Sequence, residues 1–225
     1  MKKLNKNELI KSAKAFCKQE SGKFRKELFG VTDGKAVGTF VENLFQDYLS
    51  KNYEMEVGSS ANGLDLPSVN TDIKVTSIKK PQSSCPFRES KQKIYGLGYN
   101  LIVFVYKKVD DTKLKKGMLE FVSCTYIDKS RTADFQTTRG LRQIIENEGN
   151  ADDIFAFLND HKIPADEVTL MNMANEILNN PPLLGYLTIS NAMQWRLHYK
   201  RIVSLNKTIE GISPIVKYDS EVDCE

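Results

Sequence analysis

From Lys35 to Lys51 the apolar residues Val37, Phe40, Val41, Leu44, Phe45, Tyr48 and Leu49 recur at intervals of three and four. That spacing draws one apolar stripe down an amphipathic helix. Glu42 falls on the flank of the stripe, beside the face that would be buried. Upstream, residues 1–30 read as one basic helix or two, with Leu9, Ile10, Ala13 and Phe16 available for packing. Beyond Tyr53 the period changes. Asn62-Gly63 is a turn signal, and Pro67 and Asn70 punctuate a short connection. Residues 70–78 then alternate, with Val69, Thr71, Ile73 and Val75 on one side and Asp72, Lys74 and Thr76 on the other, the pattern of a strand. Residues 80–87 read as a loop and 88–97 as a short helix. Residues 99–107 are so continuously apolar that the strand they predict must be covered on both faces.

A further strand is expected at about 117–127, and residues 131–179 read as helical. Asn150 caps a segment opening on Ala151-Asp152-Asp153, where acids suit the helix dipole. Pro164 breaks that helix, and Pro181-Pro182 stop the one that follows from about 166. From Met193 to Leu205 the odd positions are mostly apolar and the even ones include Gln194, Arg196, His198 and Lys200, which predicts a strand with a basic outer face. The acidic residues at the end of the chain are expected to fray. The whole is an α/β pattern: a central mixed β-sheet flanked by helices, plus a helical segment. At 225 residues a single domain, 1–225, is expected. Its core would be about 35–127, its helical segment about 131–180 and its C-terminal strand region about 184–218.

Composition changes this picture little: 40% apolar and 27% charged residues are ordinary for a globular protein. No run reaches the ~18 apolar residues of a membrane span, and no signal-peptide apolar region follows the lysine-rich start, so no membrane and a cytoplasmic location are expected. Cys17, Cys85, Cys124 and Cys224 form no C-x-x-C pair, so free thiols are expected. His161 and His198 are isolated and read as structural.

The distribution of charge says more than its net value of +3. Residues 1–35 hold ten Lys/Arg against four Asp/Glu, residues 74–93 six against one, and residues 146–180 one lysine against eight acids. Such patches suit a protein that turns one face to a polyanion. The two helices of the acidic segment are not read as a helix-turn-helix, because a recognition helix needs the opposite sign.

Chemistry is concentrated in Asp65-Leu-Pro-Ser-Val-Asn-Thr-Asp72-Ile-Lys74. Asp72 and Lys74, two apart on a strand, share a face, and Asp65 can return to it across the turn at Pro67. Carboxylates that hold Mg²⁺, with a lysine to orient water, are what phosphodiester hydrolysis requires. The Ile73 carbonyl is a further candidate ligand. Thr76, Lys79, Lys80, Gln82, Ser83 and Ser84 follow as a candidate phosphate-contacting loop, extended by Arg88 and Lys91. Gln194 and Arg196 carry side chains able to read base edges.

Helix, Asp-turn-strand and Lys together resemble the PD-(D/E)XK nuclease superfamily. Gly38-Thr-Phe-Val-Glu42-Asn-Leu-Phe, followed by Asp65-Leu-Pro-x3-Thr-Asp72-Ile-Lys74-Val-Thr, is similar to the branch holding the mismatch-repair nickase MutH and related restriction endonucleases. That branch carries G-Q-x-x-E and then D-x-P-x4-E-x-K-T. The resemblance covers about residues 35–80. It implies metal binding by Asp65 and Asp72, water positioning by Lys74 and support from Glu42. Asp72 replaces the commoner glutamate, and the proline follows the first aspartate instead of preceding it. The function it implies is a Mg²⁺-dependent endonuclease of double-stranded DNA (with Mn²⁺ as a substitute for Mg²⁺), of the type II restriction kind and working as a homodimer. The alternatives are a MutH-like, partner-activated nickase and a non-catalytic DNA-binding protein on the same fold.

Overall fold

The computed structural model describes residues 1–56, 63–85, 88–190 and 195–219. In chain order these form β1 (Lys2–Lys3), α1 (Lys6–Glu20), α2 (Gly34–Ser50), β2 (Tyr53–Glu54), β3 (Thr71–Ser77), β4 (Gln82–Ser84) and the single helical turn α3 (Gln92–Tyr95). There follow β5 (Asn100–Asp111), β6 (Lys116–Ile127), α4 (Phe135–Glu146), α5 (Ala151–Asp160), α6 (Glu167–Asn179), β7 (Thr188–Ile189), β8 (Arg196–His198), α7 (Lys200–Val203) and β9 (Ile212–Val216). Among the described residues no helix is long and apolar enough to cross a membrane. The chain divides into two compact units: 1–83, 100–127 and 202–225 form the first, and 84–99 with 128–201 the second.

The first unit is built on a mixed sheet in the order β3-β5-β6-β9. β3 and β5 run parallel, with Asp72 opposite Leu101 and Lys74 opposite Val103, while β5-β6 and β6-β9 are antiparallel. Leu101 to Tyr106 are all buried, so β5 is covered on both faces as its unbroken apolar run requires. The helices α1 and α2 lay their stripes on this sheet. Phe16 of α1 and Phe45 of α2 meet with ring centroids 4.9 Å apart, and Phe104 of β5 completes the cluster 5.0 Å from Phe45. Aromatic groups in this tilted and edge-on geometry add to the transfer free energy of their burial. Asn5 caps α1 by accepting from the Glu8 N–H, and Asp33 caps α2 by accepting from Lys35.

In the second unit α4, α5 and α6 share a core of Leu141, Ile154, Leu158, Leu170, Met173, Ala174 and Ile177 with Ile94 of α3. Asn150 and Asp153 make a reciprocal capping box at the start of α5. Asp134 caps α4 and is only 3% exposed. One of its carboxylate oxygens accepts from the Thr137 N–H and hydroxyl, both at 2.8 Å, and the other accepts from the Ile189 N–H at 2.7 Å. A single side chain therefore ties the start of α4 to β7, whose partner is β8 in an antiparallel pair.

Three expectations need correction. The loop expected over 80–87 contains the short strand β4, with Thr76 organising its approach: the Thr76 hydroxyl donates to the Lys80 and Gln82 carbonyls and accepts from the Gln82 N–H. The helix expected over 88–97 is one turn, ended by Gly96 at φ 94°, a conformation that favours glycine. Among the described residues the strand expected over 193–205 is β8 alone. Tyr199, Ile202 and Val203 are all buried, and their spacing of three and four is that of the helical turn α7. The described cysteines, Cys17, Cys85 and Cys124, are buried thiols that form no disulfide among the described residues; Cys224 and Asn62 lie outside the described residues.

Candidate active site

Asp72 and Lys74 stand on β3, an edge strand of the first unit's sheet whose two faces are both largely covered. Asp72 is only 6% exposed, and a carboxylate so far from water needs a partner. Its Oδ2 accepts from the Lys74 ammonium at 2.5 Å. Asp65 comes from the segment just before the strand. Leu66 and Thr71 exchange two backbone hydrogen bonds around a short turn in which Asn70 adopts φ 47°. That turn folds Asp65 back so that its Oδ2 accepts from the Ile73 N–H at 2.8 Å.

The helix α2 completes the cluster. Gly38, Glu42 and Gln46 are spaced by four and form one row on the helix. A Cβ at Gly38 would stand 4.0 Å from the Val75 carbonyl oxygen, which shows how near the row lies to β3. Glu42 is half-buried and feels the charges of both Lys74 and Asp72. The Gln46 side-chain amide donates to the Asp65 carbonyl at 3.2 Å. Gln46 did not emerge from the sequence, although its spacing of four from Glu42 was a usable signal.

Three carboxyls around one ammonium set the electrostatics. Burial, followed by a hydrogen bond that protonated Asp65 donates to Asp72 and by the Asp72 charge, pushes Asp65 up to about 7, against the Ile73 N–H, which favours the carboxylate. Burial also raises Glu42; Lys74 opposes this and Asp72 adds to it. For Lys74 burial alone would lower the pKa, but Asp72, Asp65 and Glu42 outweigh it and hold the ammonium above its ordinary value. At neutral pH the cluster therefore has more acid than its lysine balances, and Asp65 compensates by keeping a proton.

The sign for stability follows. Between about pH 4 and pH 7 folded Asp65 retains a proton that the unfolded chain has released, so stability falls as pH rises through this window. The full displacement would correspond to ~4 kcal/mol. Partial solvent access and sharing of the proton with Asp72 reduce this to on the order of 2 kcal/mol. Urea unfolding of the metal-free protein at pH 5 and pH 8 should show the loss, and Asp65→Asn should remove most of it.

The donor set fits a hard divalent cation. It offers carboxylate oxygens and, at Ile73, a backbone carbonyl, without thiolate or imidazole, the kind of set that suits Mg²⁺ or Mn²⁺. Asp72 raises the Asp65 pKa, so the two carboxyls compete for charge, and a cation can take the place of the proton that Asp65 keeps. Among the described residues no three carboxylate, imidazole or thiol side chains form a ready ligand group. An ion that keeps several of its waters and binds through one or two carboxylates does not require one.

The other residues singled out in the sequence are dispersed. Thr76 is buried with its hydroxyl engaged in the turn, so what reaches solvent after β3 is Lys79 and Lys80, both exposed, with Gln82 and Ser83 half-buried. Ser84, Arg88, Lys91 and Arg196 belong to the second unit. Lys91 pairs with Glu176 of α6, and Arg196 is exposed on β8. Gln194 lies outside the described residues.

A family model described as type II restriction enzyme NspV matches residues 3–214. The type II restriction enzyme NspV of Nostoc sp. (strain ATCC 29411 / PCC 7524) is 51% identical over 190 residues, spanning 84% of this chain and 86% of that protein. No solved structure matches the chain.

Proposed function

The chain belongs to the NspV family of type II restriction enzymes, and on that footing we propose that it is a sequence-specific endonuclease of double-stranded DNA that uses Mg²⁺ at Asp65, Asp72 and Lys74. The observation that carries the siting is the Asp72–Lys74 ion pair on β3, with Asp65 folded back onto the Ile73 N–H and with Asp65 and Glu42 both acting on the Lys74 charge. The same arrangement supports placing the chain in the PD-(D/E)XK superfamily, near the MutH branch.

When bound, a divalent cation supplies Lewis acidity toward the phosphate and makes water a better nucleophile at neutral pH. Asp65 and Asp72 would hold it, with the Ile73 carbonyl as a further donor. Asp65 gives up its proton on binding, so affinity rises with pH up to about 7. Lys74, fixed by Asp72, directs its ammonium at the attacking water and at the charge growing on the phosphate. Asp72 and Asp65 keep Lys74 protonated, and Glu42 adds to their negative charge. Lys79 and Lys80 contact backbone phosphates beyond the cleaved bond. Both compact units serve one nuclease, with Arg196 of the second contacting DNA. The protein acts as a homodimer in the cytoplasm, each protomer cutting one strand.

Purified protein incubated with supercoiled plasmid and phage DNA, with Mg²⁺ or with EDTA, tests the proposal. Discrete fragments that need Mg²⁺ are expected, with linear plasmid as the first product to accumulate. Accumulation of nicked circle would instead favour a partner-activated nickase. Salt-dependent binding without cutting in any divalent metal would favour a non-catalytic binding protein.

A further inference from the structure

We infer that Gln46 is a positioning residue that holds Asp65 in ligand geometry, so that α2 acts on the metal site through the main chain of Asp65. The inference rests on reading Asp65 as a metal ligand.

Asp65 lies in the irregular stretch between Gly63 and the turn at Pro67, outside any strand of the sheet. A ligand on such a stretch must be fixed from elsewhere. Downstream, the Leu66–Thr71 backbone pair ties the chain to the start of β3. The carboxyl is held by the Ile73 N–H. The peptide unit that carries the Asp65 carbonyl is held at its Leu66 N–H end by the Thr71 carbonyl, and Gln46 holds its carbonyl end at 3.2 Å. Its own position is well determined: Phe45 beside it and Leu49 one turn later are fully buried on the sheet. The row Gly38, Glu42, Gln46 thus meets the site at three successive points: beside Val75, beside Lys74 and Asp72, and at Asp65. Side chains that orient a ligand without touching the metal are worth roughly 10- to 100-fold in metal affinity or activity.

Gln46→Met keeps length and apolar contact while removing the donor. Mn²⁺ binding to the full-length protein, followed by calorimetry or by the spin-resonance signal of free Mn²⁺, should weaken about 10- to 100-fold. Affinity for DNA in EDTA should be unchanged. Steady-state cleavage should show a lower kcat at saturating DNA with little change in KM, partly restored by raising Mg²⁺, a recovery that a merely structural defect would not give. Unchanged Mn²⁺ affinity in Gln46→Met would overturn the inference. So would a parallel loss of metal-free DNA affinity and thermal stability, which marks a residue needed only for packing. Asp65→Asn measured alongside separates the levels. If it abolishes Mn²⁺ binding while Gln46→Met does not, only the role of Gln46 fails. If Asp65→Asn binds Mn²⁺ normally, the ligand reading fails and the role of Gln46 fails with it.

Discussion

Lys74→Ala is expected to lower the rate of DNA cleavage by about a thousandfold or more, with the protein still folded. The ammonium is the only cation in direct contact with the Asp72 carboxylate among the described residues, and it answers the field of Asp65 and Glu42 as well. Its removal deletes the positive charge that meets the attacking water and the phosphate. Refolding of the site is not needed to explain the loss, because β3 is held by its parallel ladder to β5 and by Ile73 in the core. Three crowded carboxyls without a cation will take up a further proton, so the variant should stay folded at pH 6 and weaken above pH 7. Asp72→Asn should lose as much activity for a different reason, through weaker metal binding. Because the two residues act as one unit, the double variant should be scarcely worse than either alone. Single-turnover cleavage at saturating DNA, with melting curves beside it, decides the matter. A Lys74→Ala protein cutting within tenfold of the parent rate would mean that the reacting phosphate lies elsewhere.

Asp134→Ala should cost about 3 kcal/mol of stability while leaving every residue of the nuclease cluster in place. Its carboxylate serves the Thr137 N–H and hydroxyl on one oxygen and the Ile189 N–H on the other. Alanine leaves these buried donors without their acceptor, and it removes the negative charge that opposes the fall of the Lys93 pKa, Lys93 being only 5% exposed. Asp134→Asn retains one acceptor oxygen and should cost about half as much. Urea unfolding measures both. A loss below about 0.5 kcal/mol for the alanine variant would show that α4 and β7 are held together by packing alone.

Much of this was legible in the residues. The stripe from Val37 to Leu49 gave α2 to within a residue, the alternation around Ile73 gave β3, and the unbroken apolar run gave β5. These signals are strong because each element buries a face and repeats its period several times. The candidate cluster was legible for the same reason: Asp72 and Lys74 share a strand face, and Pro67 and Asn70 advertise the turn that returns Asp65.

What escaped has a common physical origin. Gln46 binds a backbone carbonyl, and no side-chain pattern records the position of a carbonyl. Thr76 looked like a phosphate contact, yet its hydroxyl is spent on the turn to β4. The polar-apolar alternation through β8 continued by coincidence into α7: Leu197 of β8, Tyr199 after it and Val203 of α7 fit a period of two, while Ile202 fits only the helix. The second unit's segments, 84–99 and 128–201, are joined by contacts distant in sequence, for which local periodicity carries no signal.

The threading of that second unit also bears on how new specificities could arise. The chain leaves the first unit after Ser83, returns at Asn100, leaves again after Ile127 and returns at Ile202. The strand β3 and its parallel neighbour β5 are therefore separated by the earlier excursion, and a recombination event with a single crossover cannot exchange the second unit whole. Chimeras between relatives should lose their fold when only one of the two segments is transferred, and keep it when both travel together. Divergence by point substitution on a fixed scaffold is the easier route for such an enzyme.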